Sequence, residues 1–229
     1  TIAGPANALS LDAAIIQDYT CLQDGVIEAQ NIDGGTAPYE FSIDGVNFVS
    51  GAGAETFSGL NPGTYTITIR DANGCTTVAP PLTIDPLDPP TDLTFSATTP
   101  SCPALTSDIT ATVVNGTAPF TFEIIAPSAI APSSATGNAA AFDGLSPDTY
   151  TVLVTDSNGC AYQEDYTIVP VPPISALGQV ISNVACFGGT EGEILFSVSG
   201  FGASYDYTIS GPANFTGTGE TNNQISLSG

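Results

Sequence analysis

The stretch "GLNPGTYTITIRDANGC", residues 59–75, recurs later in the chain as "GLSPDTYTVLVTDSNGC", residues 144–160. Ten of the seventeen positions are identical, and the two copies begin 85 residues apart. A second element keeps nearly the same spacing, since "TAPYEFSI" (36–43) returns as "TAPFTFEI" (117–124) and, more loosely, as "GASYDYTI" (202–209). A fixed period of this size indicates a tandem array in which each copy is one structural unit.

Apolar and polar residues alternate within the repeated stretch. In "TYTITIRD" (64–71), Tyr65, Ile67 and Ile69 fall on one face, and the threonines and Arg70 fall on the other. This period of two is typical of a β-strand with one face on a core. We therefore predict one strand over 64–71.

Turn signals separate the predicted strands. Asn-Gly and Asp-Gly pairs can supply the positive φ that a tight turn requires, and they stand at 44–45, 73–74, 115–116 and 158–159. The segment "LDAAIIQ" (11–17) could form a helix, but the other repeats have β-type sequences at that position, so we predict a strand. Short strands with turns between them, in units of about 75 to 85 residues, predict an all-β fold of tandem immunoglobulin-like or fibronectin-III-like β-sandwich domains.

Pro-rich stretches divide the repeats. "TIDPLDPPTDL" (83–93) and "TIVPVPPISAL" (167–177) are similar, and the opening "TIAGPANAL" (1–9) resembles both, so we expect the chain to be part of a longer protein. The predicted boundaries are 1–8 for the end of a preceding repeat and linker, 9–86 for the first repeat, 87–170 for the second and 171–229 for an incomplete third.

Negative charge dominates the composition. The 229 residues include 23 Asp or Glu and one Lys or Arg, which gives a formal net charge of −22. Nucleic acids and anionic membrane surfaces are recognised through Lys and Arg, so neither is an expected partner. Like charge can keep an array soluble and extended, and cation capture is the other interpretation. No run of about 18 apolar residues indicates a membrane-inserted segment.

Five cysteines occupy two recurring positions. The leading cysteines, one near the start of each repeat, are Cys21, Cys102 and Cys186, and the turn cysteines, which follow an Asn-Gly pair, are Cys75 and Cys160. The two positions lie 54 and 58 residues apart in the complete repeats. We therefore predict Cys21–Cys75 and Cys102–Cys160 disulfides, with Cys186 unpaired, provided that the topology brings both positions to one end of a sandwich.

Two alternatives to disulfides remain open. Reduced core thiols are one. A zinc site is the other, although the chain has no His and no Cys-x-x-Cys motif. Disulfides would place the chain in an oxidising compartment, which is the periplasm, the exterior of the cell envelope or the medium.

A Leu-x-Pro-x-Thr-Tyr motif precedes the strand in both copies. It predicts a tyrosine corner, in which the phenol of Tyr65 or Tyr150 bonds back to nearby backbone. An ordinary core tyrosine is the alternative.

Together these motifs resemble the SprB-type repeat of Bacteroidota surface proteins, which reads as a cysteine, a "GG-x-x-PY" strand and a "GTYT…D-x-NGC" segment. The first repeat matches it with Cys21, Gly34, Gly35, Pro38, Tyr39, Leu60, Gly63, Thr64, Tyr65, Thr66, Asp71, Asn73, Gly74 and Cys75. The second repeat has Asp148 where the pattern prefers Gly, and the third has Ser204 in place of Pro.

The resemblance implies a very large cell-surface adhesin exported by type IX secretion. Its family includes the mobile adhesins of gliding motility, although such repeats occur in many surface proteins. We expect these repeats to be a structural stalk or filament segment. Its partners would be neighbouring repeats and, through regions outside this chain, an extracellular surface or polysaccharide.

Catalytic motifs are absent from the sequence. Without His, neither a Ser-His-Asp nor a Cys-His arrangement can form, so we expect neither enzyme activity nor a cofactor. The alternatives are a carbohydrate-binding module that uses loop residues such as Phe48 or Tyr162, and accessory domains of a secreted enzyme.

Calcium is the metal that the sequence raises. Asp85, Asp88 and Asp92 cluster in the first linker, and calcium prefers such oxygen ligands. The second linker has no acid at the matching positions, and Asx-type turns explain Asp71 and Asp156 without a metal. We therefore predict no metal site.

Overall fold

The computed structural model describes residues 7–51, 53–101, 105–211 and 214–228. Regular structure in these residues consists of β-strands that pair antiparallel, so the all-β prediction is confirmed. The chain divides into two compact units. The first comprises Thr1–Thr98, Asp108–Leu145 and Thr149–Thr167, and the second comprises Thr99–Ser107, Ser146–Asp148 and Ile168–Gly229.

The first repeat lies in the first unit. Its strands are β1 (Ser10–Gln17), β2 (Gly25–Asp33), β3 (Tyr39–Ser42), β4 (Val49–Gly51), β5 (Glu55–Leu60), β6 (Gly63–Tyr65), β7 (Thr68–Arg70), β8 (Thr76–Val78) and β9 (Leu82–Ile84). They form sheets in the orders β1-β2-β5 and β4-β3-β7-β8, and β6 pairs with β9. The segment 11–17 is a strand, as predicted.

The core of the first repeat lies between its two larger sheets. Ile27 and Ala29 face inward from β2, and Phe41 and Ile69 face them from β3 and β7, all at 0% exposure. These residues occupy alternate positions of their strands, which is why the apolar periodicity identified them. The arrangement is a β-sandwich, as predicted.

The predicted strand over 64–71 is interrupted in the first repeat. It forms β6 and β7, separated by Thr66 and Ile67. The break occurs because β6 pairs with β9 whereas β7 pairs with β3 and β8, so the chain changes partners between them. Ile67 keeps one backbone bond there, from the Ala79 N–H to its carbonyl at 2.9 Å.

The second repeat is a sandwich of the same kind. Its strands are β10 (Asp92–Ala97), β11 (Ser107–Val114), β12 (Thr121–Ala126), β13 (Ser134–Thr136), β14 (Ala139–Leu145), β15 (Thr149–Thr155) and β16 (Ala161–Thr167). The sheet orders are β10-β11-β14-β13 and β12-β15-β16. Here the repeated stretch is a single strand, β15, whose Val152 and Val154 are fully buried.

The third repeat lies in the second unit. Its strands are β17 (Ser175–Ser182), β18 (Glu193–Ser199), β19 (Tyr205–Ile209), β20 (Phe215–Glu220) and β21 (Gln224–Ser228). They form a β17-β18-β21 sheet and a β19-β20 pair.

An apolar cleft of about 640 Å³ opens in the third repeat, lined by residues that include Ile194, Phe196 and Phe215. In the earlier repeats the counterparts of β19, which are β3 and β12, pair with β7 and β15. Among the described residues β19 pairs with β20 alone.

Candidate functional site

The Asn-Gly-Cys segment of the first repeat forms a tight turn around one buried carboxylate. Asp71, which is 4% exposed, accepts bonds at Oδ1 from the Asn73 and Cys75 N–H groups, at 3.0 and 2.8 Å. Its Oδ2 accepts the Thr36 N–H at 3.0 Å, which ties the turn to the chain after β2. Gly74 has φ +80°, the conformation that the Asn-Gly pair predicted.

The second repeat builds the same turn. Asp156 Oδ1 accepts the Asn158 and Cys160 N–H groups at 2.9 and 2.8 Å, and Oδ2 accepts the Thr117 N–H at 3.2 Å. Gly159 has φ +75°. We call residues 71–75 and 156–160 the NGC turns; each is shaped by its own aspartate, as the Asx-turn interpretation predicted.

Two opposing effects set the pKa of Asp71. Burial raises it, and the backbone N–H donors of Cys75, Thr36 and Asn73 more than offset this and leave it below its ordinary value of 3.8. The carboxylate is therefore ionised at neutral pH and acts as a charged acceptor that fixes the turn.

The second NGC turn is bonded to the first repeat. Cys160, which is 2% exposed, forms a disulfide with Cys21, and the Cα atoms lie 5.0 Å apart. The Cys21 N–H also donates to the Asn158 carbonyl at 3.0 Å. Leu22 is 81% exposed but touches Gly159 at one edge, because a Cβ built on that glycine would be 2.6 Å from Leu22 Cδ1. The loop of residues 18–24, which we call the leading loop, thus meets the NGC turn of the next repeat.

This bond corrects the predicted pairing. Cys21–Cys75 and Cys102–Cys160 were predicted within repeats, whereas Cys21 and Cys160 join two successive repeats across 139 residues. Cys75 is free and exposed, as is Cys186. Cys102 lies outside the described residues.

Strand β2 shows why pairing within a repeat fails. The leading loop precedes Gly25, where β2 begins, whereas Thr36, which bonds Asp71, follows the end of β2 at Asp33. A strand of nine residues is roughly 26 Å long from first to last Cα. Disulfide-bonded Cα atoms lie within about 7 Å, so Cys21 and Cys75 cannot meet.

The two tyrosines proposed for corners lie at the start of the repeated strand. The Tyr65 hydroxyl donates to the Asn61 carbonyl, four residues upstream, at 2.7 Å. Tyr150 is buried, at 5% exposure. A stabilising corner role for either residue stays a prediction.

Phe48 and Tyr162, the two aromatic residues named for sugar binding, do not present fully exposed rings on which a sugar could stack. Phe48 is half-buried beneath the Arg70 guanidinium, whose Cζ lies 4.2 Å from the ring centroid. Arg70 also donates from Nε to Glu40 Oε2 at 2.9 Å. Tyr162 is half-buried, and burial together with the Glu164 charge raises its pKa.

The described residues contain no cluster of three or more His, Cys, Asp or Glu side chains able to hold a metal ion. Asp85, Asp88 and Asp92 are each exposed. No helix in the described part of the chain has the length and apolar character needed to cross a membrane.

Comparison with known proteins supports an SprB-type repeat in one segment. Residues 178–214, which include Cys186 and most of β17 to β19, match the family model for the SprB repeat. No curated protein matches the chain.

The chain is also similar to solved structures. One is the crystal structure of a tetra-tandem repeat in the extending region of a large adhesion protein, with 17% identity and a TM-score of 0.29 over 97% of this chain. This chain spans 66% of that structure. Another is murine CEACAM1b, with 12% identity and a TM-score of 0.32 over 70% of this chain and 98% of the other.

Proposed function

We propose that the chain is a force-transmitting spacer within a large extracellular adhesin-like protein. The observation that carries the proposal is the disulfide between Cys21 of the first repeat and Cys160 of the second. A bond between repeats does little to form either core, but it fixes one repeat to the next. This is what a stalk requires and what an isolated binding module does not.

The bond changes the path that tension follows through the chain. Tension applied at the termini reaches Cys21 through β1, crosses the disulfide to Cys160 and leaves through β16. The segment that joins the cysteines, over a sequence separation of 139, is thereby excluded from extension while the bond is intact. Closing a loop of that length also stabilises the folded state, by about 5 kcal/mol in the chain-entropy model.

Charge and linker composition fit the same role. The net charge of −22 favours solubility and repulsion between repeats. Pro-rich linkers such as 83–93 behave as semi-rigid spacers. The half-buried settings of Phe48 and Tyr162 give a carbohydrate-binding module less support.

The SprB-type resemblance makes the proposal more specific. We assign the chain to a Bacteroidota surface adhesin that reaches the cell surface by type IX secretion. In its most specific form, the proposal is that this adhesin takes part in gliding motility. The chain itself has a non-enzymatic, structural role in this proposal, and its surface or polysaccharide contacts are made elsewhere in the protein.

Surface labelling and glycan binding test the proposal. Antibodies against the chain should label intact, unpermeabilised cells that produce the full protein, and the purified chain should bind no polysaccharide on a glycan array. Labelling only after permeabilisation would contradict the surface location. Saturable glycan binding would favour the binding module.

A further inference from the structure

The NGC turn of the first repeat (71–75) has the same hydrogen-bonded shape as the disulfide-bonded turn of the second repeat (156–160). It lacks the contacts that the second turn makes with a leading loop. Cys75 is free and exposed, whereas Cys160 is buried in the disulfide. A Cβ built on Gly74 would meet nothing within 4 Å, whereas one on Gly159 would meet Leu22. Because Asp71 already holds the turn in the bonded shape, Cys75 presents a preformed surface for a leading loop.

The third repeat shows the complementary feature. Cys186 and Phe187 stand where the first repeat has Cys21 and Leu22. Cys186 is free, whereas Cys21 is in a disulfide, and both Phe187 and Leu22 are exposed. The leading cysteine is thus disulfide-bonded in the first repeat and a free thiol in the third.

We propose that the bond recurs between every pair of successive repeats. Cys75 is the bonding site for the leading cysteine of a further repeat of this type, and Cys186 bonds the NGC turn of another. The partner in each case is a repeat of the same kind. This inference rests on the proposed function, because it extends the observed bond along the stalk. We call the resulting series, in which the leading cysteine of each repeat is bonded to the NGC turn of the next, the disulfide ladder.

The bond forms by oxidation of two thiols. One thiol on each repeat loses a proton and an electron as the sulfur atoms join, so two protons and two electrons leave. An oxidised thiol compound such as glutathione disulfide accepts the two electrons and the two protons, and it is thereby reduced to two thiols.

A ladder of this kind would leave no repeat outside a bridged segment. The observed bond spans 139 residues, whereas the leading cysteines recur after 81 and 84 residues. Successive bridged segments therefore overlap, and tension would reach each repeat through disulfides as well as through the linker.

A lengthened chain tests the ladder. Residues 9–82 are added upstream of Thr1, so that Leu82 precedes Thr1-Ile2 as it precedes Thr83-Ile84 in the natural linker. The added copy carries Cys75→Ser, and Gln23→Asn marks it by mass. Cys102→Ser is used throughout. After refolding with reduced and oxidised glutathione, free thiols are alkylated and the linked peptides are mapped without reduction.

We expect the marked leading loop to be linked to Cys75, and alkylation of Cys75 to fall from complete in the unextended chain to nearly none. Cys21→Ser in the added copy should restore alkylation. Full alkylation of Cys75 beside an intact Cys21–Cys160 bond overturns the ladder alone. Absence of the Cys21–Cys160 bond as well contradicts the proposed function.

A second measurement uses the unextended chain with Cys102→Ser, in case the longer chain does not fold. The peptide "DYTCLQDG" (18–25) is supplied as its glutathione mixed disulfide. The Cys75 thiolate attacks the peptide sulfur and releases glutathione as a thiol. Cys75 should acquire the peptide faster than Cys186, and a Leu22→Ser peptide, which loses the contact with the turn glycine, should show a smaller preference. Equal rates at both cysteines with the unchanged peptide overturn the proposal.

Discussion

At the residue scale, a buried aspartate determines where a cysteine points. Asp71 and Asp156 each bind the backbone of their own turn, including the N–H of the cysteine. The turn therefore has its shape before any disulfide forms, and the bonded and free copies agree. The cysteine contributes reactivity, and the aspartate contributes geometry.

Asp71→Asn should lower the stability of the first unit at neutral pH, because an amide replaces a charged acceptor of several N–H groups. The pKa of Asp71 lies below 3.8 in the folded state. Its stabilising effect is thus present above that value and lost as pH falls through the folded pKa. Urea unfolding of parent and variant should differ most at neutral pH and converge in acid. A pH-independent difference would contradict the assigned role.

Tyr65→Phe removes only the hydroxyl that donates to the Asn61 carbonyl at 2.7 Å. We expect a loss of about 1 kcal/mol, the usual net value of such a bond, seen as a lower midpoint in urea. Unchanged stability would show that the proposed corner contributes nothing, and that Tyr65 acts through packing alone.

At the element scale, strand β7 is held on both edges. Arg70 pairs with Glu40 of β3 and with Thr76 of β8, and its guanidinium contacts both Glu40 and Phe48. The middle position in the sheet explains why this short strand stays ordered although β6 and β7 are separated.

Trypsin should therefore leave the native chain intact. Arg70 is the chain's single Lys or Arg and hence its one tryptic site, and cleavage requires an extended segment released from the sheet. The chain unfolded in urea serves as the control and should be cut there. Rapid cleavage of the native chain would contradict a paired strand at Arg70.

The sequence predicted the elements better than their connections. Alternation in the repeated stretch identified the strand that forms β15, comparison between repeats identified β1, and Asn-Gly pairs identified the turns, because strand faces and turn conformations depend on local sequence. The change of partner at Ile67 was missed, since apolar alternation continues through it while the hydrogen bonds change sheets.

The cysteine pairing was missed for a related reason. Sequence separation does not state at which end of a sandwich a residue lies. Only the course of β2 between Cys21 and the NGC turn shows that the nearest partner in sequence is out of reach.

At the scale of the whole molecule, we expect disulfides and Pro-rich linkers, without metal ions, to hold successive repeats together. The described residues provide no metal-binding cluster, and Asp85, Asp88 and Asp92 are exposed. The disulfide closes a segment that includes most of two repeats and the linker between them.

Chelation should accordingly leave the thermal midpoint unchanged. The chain is melted with calcium and with an excess of chelator, and a variant with Asp85, Asp88 and Asp92 changed to Asn is the control. A midpoint that falls with chelator in the parent but not in the variant would place calcium in the first linker.

Single-molecule stretching tests the central claim most directly. The chain is pulled from its termini with and without reductant, with Cys160→Ser as the unlocked variant and Cys75→Ser as the matched control. Without reductant, the segment between Cys21 and Cys160, a sequence separation of 139, should stay unextended. Reductant or Cys160→Ser should release roughly 460–500 Å more contour length, at about 3.3–3.6 Å per residue, whereas Cys75→Ser should behave as the parent. Equal contour lengths for the oxidised parent and the Cys160→Ser variant would contradict the account.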